Sequence, residues 1–589
     1  MTWEAWLTLA VILTTVVLLV RDTVAPSLAV LGATIALMVA GVITPAEALA
    51  GFSNSAPITV AALFVVARAV EKTGALQPIV GAVLGSRGDG RAGMVRLLFP
   101  VAGASAFLNN TPIVAMFAPQ VADWAERRGQ PASWFLMPLS FATILGGMVT
   151  LIGTSTNLVI SGLLEAAGYE PIGMFELTRV GLPIALVGIV VIVLLAPLLL
   201  PDRRMARQQF EEELREFSVH MRVSPNGPLV GRTIQEAGLR HLQGVFLVEL
   251  ERQGQLFAPV SPDTVLEADD RLMFVGRADM VVDLQSMRGL VSAEREHAVR
   301  LDGDHHRFFE AVVSEASPLA GKTLKETGFR SRYQAAVLAI HRAGARVNAK
   351  LGDVRLRAGD TLLLISDPDF QSRWRDRRDF LLVSSIAGTP PTSSRKALLV
   401  GAITLGIVLA AALGVMPILH AALVGAILLV LTGVLSADEA RGAIDFDVIV
   451  LIAAAFGLGA AITSSGLAQT VATAMIDMFS PLGTVGVLLS VLLATILFTE
   501  LITNNAAAVL VFPIAMATAT TAGLDPRGVA VAVAIAASAS FLTPIGYQTN
   551  TMVYGLGGYR FTDYARLGFI LSIIVVLGIL LLVPRFWPA

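Results

Sequence analysis

The chain has 589 residues, of which 55% are hydrophobic and only 15% charged, and its mean hydropathy is +0.71. Soluble chains carry about 25% charged residues, so this composition indicates a polytopic membrane protein and excludes a disordered chain. The absence of cysteine excludes a disulfide scaffold, Cys-ligated zinc and thiol catalysis. The net charge of −2 gives no support for nucleic-acid binding.

The charged residues are concentrated in the middle of the chain. Residues 201–396 hold 29 Lys or Arg and 27 Asp or Glu, against totals of 43 and 45 in the whole sequence. This distribution predicts a water-soluble unit between two hydrophobic blocks. We therefore predict a first transmembrane repeat over 1–200, two small α+β domains over 201–300 and 301–392, and a second transmembrane repeat over 393–589.

The first block contains six apolar units, at about 3–20, 24–43, 54–72, 93–126, 132–164 and 176–200. Most of them are long enough to cross a ~30 Å hydrocarbon core, which takes about 20 helical residues. The fourth unit differs, because two short apolar runs meet at the polar sequence Phe107-Leu-Asn-Asn-Thr-Pro112. Polar backbone at membrane depth is tolerated only when it is buried in protein or lines a cavity. We therefore predict a re-entrant hairpin here and five crossings in the block.

The middle block contains a repeat of its own. Ser224-Pro-Asn-Gly-Pro-Leu229 aligns with Ser317-Pro-Leu319, and Leu266-Glu-Ala-Asp269 aligns with Leu356-Arg-Ala-Gly359. Each copy has the pattern of a short helix followed by alternating strands. The two copies resemble TrkA-C (RCK-C) domains, and this resemblance implies cytoplasmic modules that dimerise or bind a small-molecule or nucleotide regulator. A Gly-rich fingerprint of a dinucleotide-binding domain is missing from the block.

The second hydrophobic block copies the first at an offset near 393. Polar landmarks recur in the same order: Gly41 to Glu47 with Gly433 to Glu439, Asn109-Asn110 with Asn504-Asn505, and Gly153-Thr-Ser-Thr-Asn157 with Gly546-Tyr-Gln-Thr-Asn550. Composition alone would not reproduce these landmarks, so the blocks are predicted to be duplicates. Five crossings are an odd number, so the copies should have opposite orientations, as an inverted repeat.

The distribution of charge predicts the orientation of the chain. Six Lys or Arg between residues 72 and 128 flank the first hairpin on one side, and Glu165, Glu170 and Glu176 lie in the loop on the other. Short cytoplasmic loops carry an excess of Lys and Arg. We therefore expect residues 201–392 in the cytoplasm and both termini outside the cell membrane.

The paired motifs offer groups for both an anion and a cation. An Asn pair at a helix break supplies carbonyl oxygens for a cation, and a half-helix N-terminus attracts an anion. Helix–helix hydrogen bonding is the alternative for a single Asn. Lys and Arg are missing from both Asn tips and both Gly motifs, so co-bound cations would have to balance an anion. Glu500, inside the second hairpin, could ligand a cation, carry a proton or hydrogen-bond within the bundle.

These residues resemble the divalent anion:sodium symporter family, which includes the Na+/sulfate and Na+/dicarboxylate carriers. The hairpin tips of that family read Ser-Asn-Thr, and here they read Asn109-Asn110-Thr111 and Asn504-Asn505-Ala506. Its sodium:sulfate signature is matched between Ala537 and Val553. The resemblance covers both hydrophobic blocks and implies a homodimeric elevator carrier with a sodium site beside each tip.

The resemblance also implies the ligand sets. The first sodium site would use Ser105, Asn109, Asn110 and Gly153. The second would use Glu500, Thr503, Asn505 and Gly546. The substrate would contact Asn110, Thr111, Thr154, Ser155, Asn505, Ala506, Tyr547 and Gln548.

Two departures from the family bear on the substrate. Ala506 lacks the hydroxyl that helps to bind a carboxylate, and Glu500 adds a charge where dicarboxylate carriers tend to have a neutral residue. We therefore predict sodium-coupled symport of a small divalent anion, with sulfate ahead of a C4-dicarboxylate. The alternatives are a sodium/proton antiporter or a proton-coupled anion carrier using Glu500, and a channel gated by the RCK-C-like pair. An enzyme is not expected, because the membrane blocks contain no nucleophile–base–orienter set.

Overall fold

The computed structural model describes residues 1–588 apart from a set of gaps. The gaps are residues 22–23, 76–89, 127, 129, 203–217, 240–244, 254, 258–259, 277–286, 288, 293–306, 315–316, 343–344, 348, 350, 368–369, 375–378, 386–393 and 545. The predicted domain boundaries near residues 300 and 392 therefore lie outside the described residues.

The chain divides into two compact units. The first comprises Met1–Asp202, Pro391–Val553 and Arg560–Ala589, and the second comprises Arg203–Pro390 and Tyr554–Tyr559. The first unit is helical. Its first half contains α1 (Trp3–Val20), α2 (Pro26–Val39), α3 (Pro45–Leu49), α4 (Ser55–Thr73), α5 (Gly90–Ser105), α6 (Asn110–Glu126), α7 (Ser133–Gly147), α8 (Ser155–Ala166) and α9 (Thr178–Leu199). A 3-10 helix, Ala50–Ser53, joins α3 to α4.

The second unit contains two antiparallel sheets of five strands. The first sheet is built from β1 (Ser218–Val223), β2 (Val245–Arg252), β3 (Gln255–Phe257), β4 (Arg271–Gly276) and β5 (Leu290–Ser292). The second is built from β6 (Arg307–Val313), β7 (Ala335–Arg342), β8 (Ala345–Arg346), β9 (Thr361–Ser366) and β10 (Phe380–Ser385), with the short helices α10 (Phe329–Tyr333) and α11 (Phe370–Trp374). The strand orders are β3-β2-β4-β1-β5 and β8-β7-β9-β6-β10. When the strands of each sheet are numbered along the chain, both sheets have the same spatial order.

Each sheet carries an equivalent ion pair. Arg252 Nε and Nη2 each donate to Asp270 at 2.8 Å. Arg342 donates to Asp360 in the same way, at 2.7 and 2.6 Å. Both aspartates are 1% exposed, so the bidentate guanidinium satisfies a carboxylate that burial would otherwise penalise. The internal repeat read from the sequence thus corresponds to two sheets with the same strand order and the same buried pair.

The second half of the first unit is again helical. It contains α12 (Ser394–Ala412), α13 (Ile418–Leu431), α14 (Ala437–Ala443), α15 (Phe446–Ser464), α16 (Leu467–Phe479), α17 (Gly483–Leu501), α18 (Asn504–Ala522), α19 (Pro526–Ser538), α20 (Gln548–Leu556) and α21 (Phe561–Phe586). Helix α16 was not expected from the sequence. Most of the positions that align with it fall among residues 76–89, outside the described part of the chain.

Eight helical segments of the described residues are long and apolar enough to cross a membrane. They are Trp3–Val20, Pro45–Thr73, Thr178–Leu199, Arg395–Ala412, Phe446–Ser464, Leu467–Leu501, Asn504–Ala522 and Phe561–Phe586. This confirms a polytopic helical membrane protein. The predicted unit 24–43 is shorter than expected, because its helix ends at Val39 and Gly41 follows with φ 82°.

The two halves of the first unit begin corresponding helices in the same way. Thr44 and Glu47 form a capping box at α3, and Ser436 and Glu439 form one at α14. A capping box satisfies backbone N–H groups at a helix start by reciprocal hydrogen bonds. The same residue types at aligned positions therefore produce the same local structure in both halves.

Candidate functional site

Four helices start at the polar motifs that the sequence singled out. Helix α6 begins at Asn110, α8 at Ser155, α18 at Asn504 and α20 at Gln548. The first turn of a helix carries N–H groups without intrahelical partners. Thr154 and Thr503, which precede α8 and α18, make no side-chain capping hydrogen bond. At α18 the side chain of Asn504 accepts from the Asn505 N–H at 2.9 Å instead, so the start of α8 is the one that lacks a side-chain acceptor at its N-cap.

The first hairpin tip contacts the turn before α20. Asn110 Nδ2 donates to the phenol oxygen of Tyr547 at 2.6 Å, and Thr111 Oγ1 donates to Gln548 Oε1 at 3.2 Å. The Tyr547 phenol also lies 3.2 Å from Thr154 Oγ1. One side chain of the second half thus joins the tip and the turn of the first half.

The second hairpin tip makes the reciprocal contact. Asn505 Oδ1 lies 3.2 Å from Ser155 Oγ and 3.1 Å from Thr156 Oγ1, both at the start of α8. Each tip is therefore bonded to the turn of the other half. Ala506 differs from the other predicted substrate residues, because it is fully buried in an apolar cluster shared by α2, α15 and α18. Its side chain faces that cluster.

Three members of the predicted first sodium set lie together. Ser105 Oγ is 2.5 Å from Asn110 Oδ1 and 2.8 Å from the carbonyl oxygen of Thr143. A hydroxyl has one proton, so it can donate to only one of these two oxygens at a time. A β-carbon on Gly147 would lie 2.9 Å from Asn110 Oδ1 and 3.3 Å from the carbonyl oxygen of Gly153. Several oxygen atoms therefore crowd together beside the first tip.

Asn109, the fourth member of that set, makes no hydrogen bond to Ser105 or Asn110. It lines a small, mainly apolar cavity whose other lining residues include Phe64 of α4, Ser155 and Thr404 of α12. Within the described part of the chain, its side chain makes no hydrogen bond. The structure therefore does not bring Asn109 to the oxygens of Ser105 and Asn110.

Two members of the predicted second sodium set, Glu500 and Gly546, lie together. Glu500 Oε1 accepts hydrogen bonds from the backbone N–H groups of Phe541 and Leu542, both at 2.8 Å. Glu500 Oε2 is buried and has no hydrogen-bond partner among the described residues, and the same is true of Thr503 Oγ1 and Ser540 Oγ. A β-carbon on Gly546 would collide with Ser540 Oγ and lie 3.3 Å from Glu500 Oε2. Asn505, by contrast, is bonded to Ser155 and Thr156.

These unpartnered oxygens fit a small hard cation. Buried polar atoms without hydrogen bonds are costly, and hard cations select carboxylate, hydroxyl and carbonyl oxygens as ligands. Glu500, Thr503 and Ser540 are the residues that would hold it. Ser540 was missed from the sequence, although it lies inside the signature segment between Ala537 and Val553.

Two further asparagines hold the broken helices in shape. Asn157 Nδ2 donates to the carbonyl oxygens of Gly147 and Thr150 at 3.0 and 2.8 Å. Asn550 Nδ2 donates to those of Ser540 and Thr543 at 3.0 and 3.2 Å. The amides thereby satisfy carbonyls that the helix break releases. Their identical position in both copies was the available signal, but it did not distinguish this role from ligand binding.

An ion pair at the periphery joins the two halves. Arg527 Nε and Nη2 lie 2.5 and 2.7 Å from the Glu176 carboxylate, and Arg527 also donates to the carbonyl oxygens of Glu170 and Pro171 at 2.9 Å. Burial alone would raise the pKa of Glu176, but the hydrogen bonds from Arg527 and Gly173 hold it below its ordinary value. The start of α19 is thereby tied to the connection between α8 and α9.

Comparison with known proteins gives the family. The family model for the citrate transporter matches residues 16–536. An uncharacterized transporter of Synechocystis sp. is 38% identical over 550 residues, covering 91% of this chain and 89% of that protein. Sodium/sulfate cotransporter 1 of Chlamydomonas reinhardtii is 27% identical over 752 residues, covering 91% and 85%.

A shorter match links the chain to an animal carrier. Solute carrier family 13 member 2 of Rattus norvegicus is 32% identical over 137 residues, which is 23% of each chain. These relatives are transporters and not enzymes, in agreement with the expectation from the sequence. They also support the resemblance to the divalent anion:sodium symporters. The extent of the family match shows that the chain belongs to the citrate transporter family.

Proposed function

We propose that this protein is a secondary active transporter that couples sodium entry to the uptake of a small divalent anion, with sulfate preferred to a C4-dicarboxylate. The proposal depends on one observation: hydrogen bonds join the starts of four helices that carry no charged side chain there. The bonds link Asn110 and Thr154 to Tyr547, and Asn505 to Thr156. Helix N-termini attract anions. Because Lys and Arg are missing from these motifs, two negative charges would need cations bound alongside them.

Two sodium sites would supply those cations. The first would use Ser105, Asn110 and the backbone of Gly153, and the second would use Glu500, Thr503 and Ser540 beside Gly546. The buried oxygens without partners support the second site. Similarity to sodium/sulfate cotransporter 1 of Chlamydomonas reinhardtii supports both the coupling ion and the substrate.

The reciprocal contacts suggest which part of the molecule moves. They join the two hairpin tips and the two turns into one body, which would carry the anion across the membrane as an elevator within a homodimer. The equivalent caps and breaks in the two halves support an inverted repeat. The excess of Lys and Arg beside the first hairpin supports a cytoplasmic middle unit and termini outside the cell.

The middle unit would regulate transport. Its two sheets of identical strand order support a pair of TrkA-C-like domains. Such a pair would bind a small molecule or a nucleotide and bias the carrier from the cytoplasmic side.

The experiment that tests the proposal is uptake of labelled sulfate into proteoliposomes, with and without an inward sodium gradient. We expect the gradient to drive sulfate accumulation, and we expect excess succinate to compete weakly. Strong competition by succinate would replace sulfate with a dicarboxylate as the substrate. Accumulation that ignores sodium would overturn the coupling.

One observation favours a second candidate. Glu500 Oε2 has no hydrogen-bond partner among the described residues, so this carboxylate could carry a proton instead of binding sodium. The protein would then be a proton-coupled anion carrier or a sodium/proton antiporter. Measuring sodium uptake with and without the anion separates these functions, because only a symporter needs the anion.

A further inference from the structure

The two unwound turns differ at one aligned position. Gly153-Thr154 in the first half corresponds to Gly546-Tyr547 in the second, so a phenol replaces a small hydroxyl. The Tyr547 hydroxyl extends to the first half and lies 3.2 Å from Thr154 Oγ1, its own counterpart. Thr154 therefore shows which smaller residue the same turn accepts in the other half of the protein.

The Tyr547 side chain lies between the first hairpin tip and the first unwound turn, with its hydroxyl in contact with both. Tyr547 is only 7% exposed, and its hydroxyl accepts from Asn110 at the tip of the first hairpin. A threonine at this position would not extend that far from its own turn. The space between the first tip and the second turn would then be open, with the polar groups of Asn110 and Thr154 available to a ligand.

We propose that Tyr547 determines the size selectivity of the carrier, admitting a compact dianion such as sulfate and excluding an extended C4-dicarboxylate. The inference rests on the proposed function, since it assumes that a divalent anion binds among these residues. Sulfate carries both charges on one tetrahedral group. Succinate carries them on two carboxylates separated by two methylene groups, so it needs a second anion position at a distance.

The phenol acts both by volume and by hydrogen bonding. On this proposal its ring takes the space that a second carboxylate would need, and steric exclusion of one ligand is an effective source of selectivity. Its oxygen already pairs with Asn110 Nδ2 and Thr154 Oγ1. These buried groups therefore remain satisfied when the smaller anion is bound, whereas unpaired groups would disfavour it.

The test compares two substitutions at this position. Tyr547→Thr restores the residue type of the first half, whereas Tyr547→Phe keeps the ring and removes only the hydroxyl. For each variant and the wild type, kcat/KM is measured for labelled sulfate and labelled succinate in proteoliposomes with a sodium gradient. Size exclusion chromatography and thermal unfolding check that each variant is folded.

We expect Tyr547→Thr to shift the sulfate-to-succinate ratio of kcat/KM toward succinate by about tenfold or more. Tyr547→Phe should weaken sulfate uptake but keep the ratio within about threefold of wild type, because the ring is still present. An unchanged ratio in the threonine variant, or loss of selectivity in the phenylalanine variant, would overturn the inference.

If Tyr547→Thr is folded but does not transport, ligand binding is measured instead. The sulfate and succinate concentrations that half-maximally raise its thermal unfolding temperature are compared with those of wild type in sodium. A relative gain for succinate supports the inference, and no gain overturns it. Failure of the proposed function is distinguishable, because it appears in the wild type as uptake without sodium dependence, whatever residue occupies position 547.

Discussion

Asn110 and Tyr547 are 437 positions apart in the chain, yet the amide nitrogen of one lies 2.6 Å from the phenol oxygen of the other. Asn110 is fully buried and belongs to the first hairpin tip, whereas Tyr547 belongs to the second unwound turn. With the contact of Asn505 to Ser155 and Thr156, this bond makes the candidate site a joint product of both halves. Substitutions in either half should therefore affect the same function.

Substitutions at the first tip should distinguish its two adjacent asparagines. Asn110→Ala removes a buried hydrogen bond and should lower sulfate uptake by about tenfold or more, and Asn505→Ala should do the same. Asn109→Ala is the matched control, because Asn109 lines a mainly apolar cavity and its side chain makes no hydrogen bond to another described residue. We expect it to keep most of the uptake. Equal losses in Asn109→Ala and Asn110→Ala would contradict this assignment.

Glu500→Gln should weaken the binding of sodium. Glutamine keeps an oxygen to accept from the N–H groups of Phe541 and Leu542 but removes the negative charge. Because ligand charge tunes cation affinity, we expect the sodium concentration for half-maximal uptake to rise about tenfold. Uptake measured over a range of sodium concentrations gives this value. An unchanged sodium dependence would remove Glu500 from the coupling site.

Gly546→Ala should disturb the same site through crowding. The added β-carbon would collide with Ser540 Oγ and lie 3.3 Å from Glu500 Oε2, so the oxygens must move apart. We expect loss of sodium-dependent uptake in a variant that still folds. Gly401→Ala is the control, since a β-carbon there meets no atom within 4 Å among the described residues. Normal uptake in Gly546→Ala would show that transport does not depend on the close packing of Ser540 and Glu500 against Gly546.

The sequence predicted the helix breaks well but not the side-chain partners. Repeated polar motifs located the starts of α6, α8, α18 and α20, because helix N-termini depend on local residue types. The roles of Tyr547, Ser540 and Asn109 depend on contacts between distant parts of the chain. The family resemblance assigns ligands by aligned position and contains no information on these contacts, so it includes Asn109 beside Asn110 and does not include Ser540.

The Arg527–Glu176 pair should contribute to stability above acidic pH. Arg527→Gln removes the charged donor of the Glu176 carboxylate and of two carbonyls, with only the Gly173 N–H still donating to the carboxylate, at a cost of about 1–3 kcal/mol. Arg441→Gln is the control, because Arg441 is 76% exposed beside Asp438. Thermal unfolding of purified protein at neutral pH should separate the two variants. Equal unfolding temperatures for both would contradict a stabilising role for the pair.

The pH dependence of that difference follows from Glu176. Its pKa is held below the ordinary value of 4.5 in the folded protein, so its contribution is present above that value and is lost as the pH falls through the folded pKa. The gap in unfolding temperature between wild type and Arg527→Gln should therefore narrow below about pH 4.5. A gap that widens on acidification would have the wrong sign for this pair.

The long separation between bonded partners also has a consequence during synthesis. Ribosomes add about 5–20 residues per second, so about 20–90 s pass between the emergence of Asn110 and that of Tyr547. During that interval the Nδ2 group of Asn110 lacks its Tyr547 partner. The joint site can therefore form only after Tyr547 has been translated.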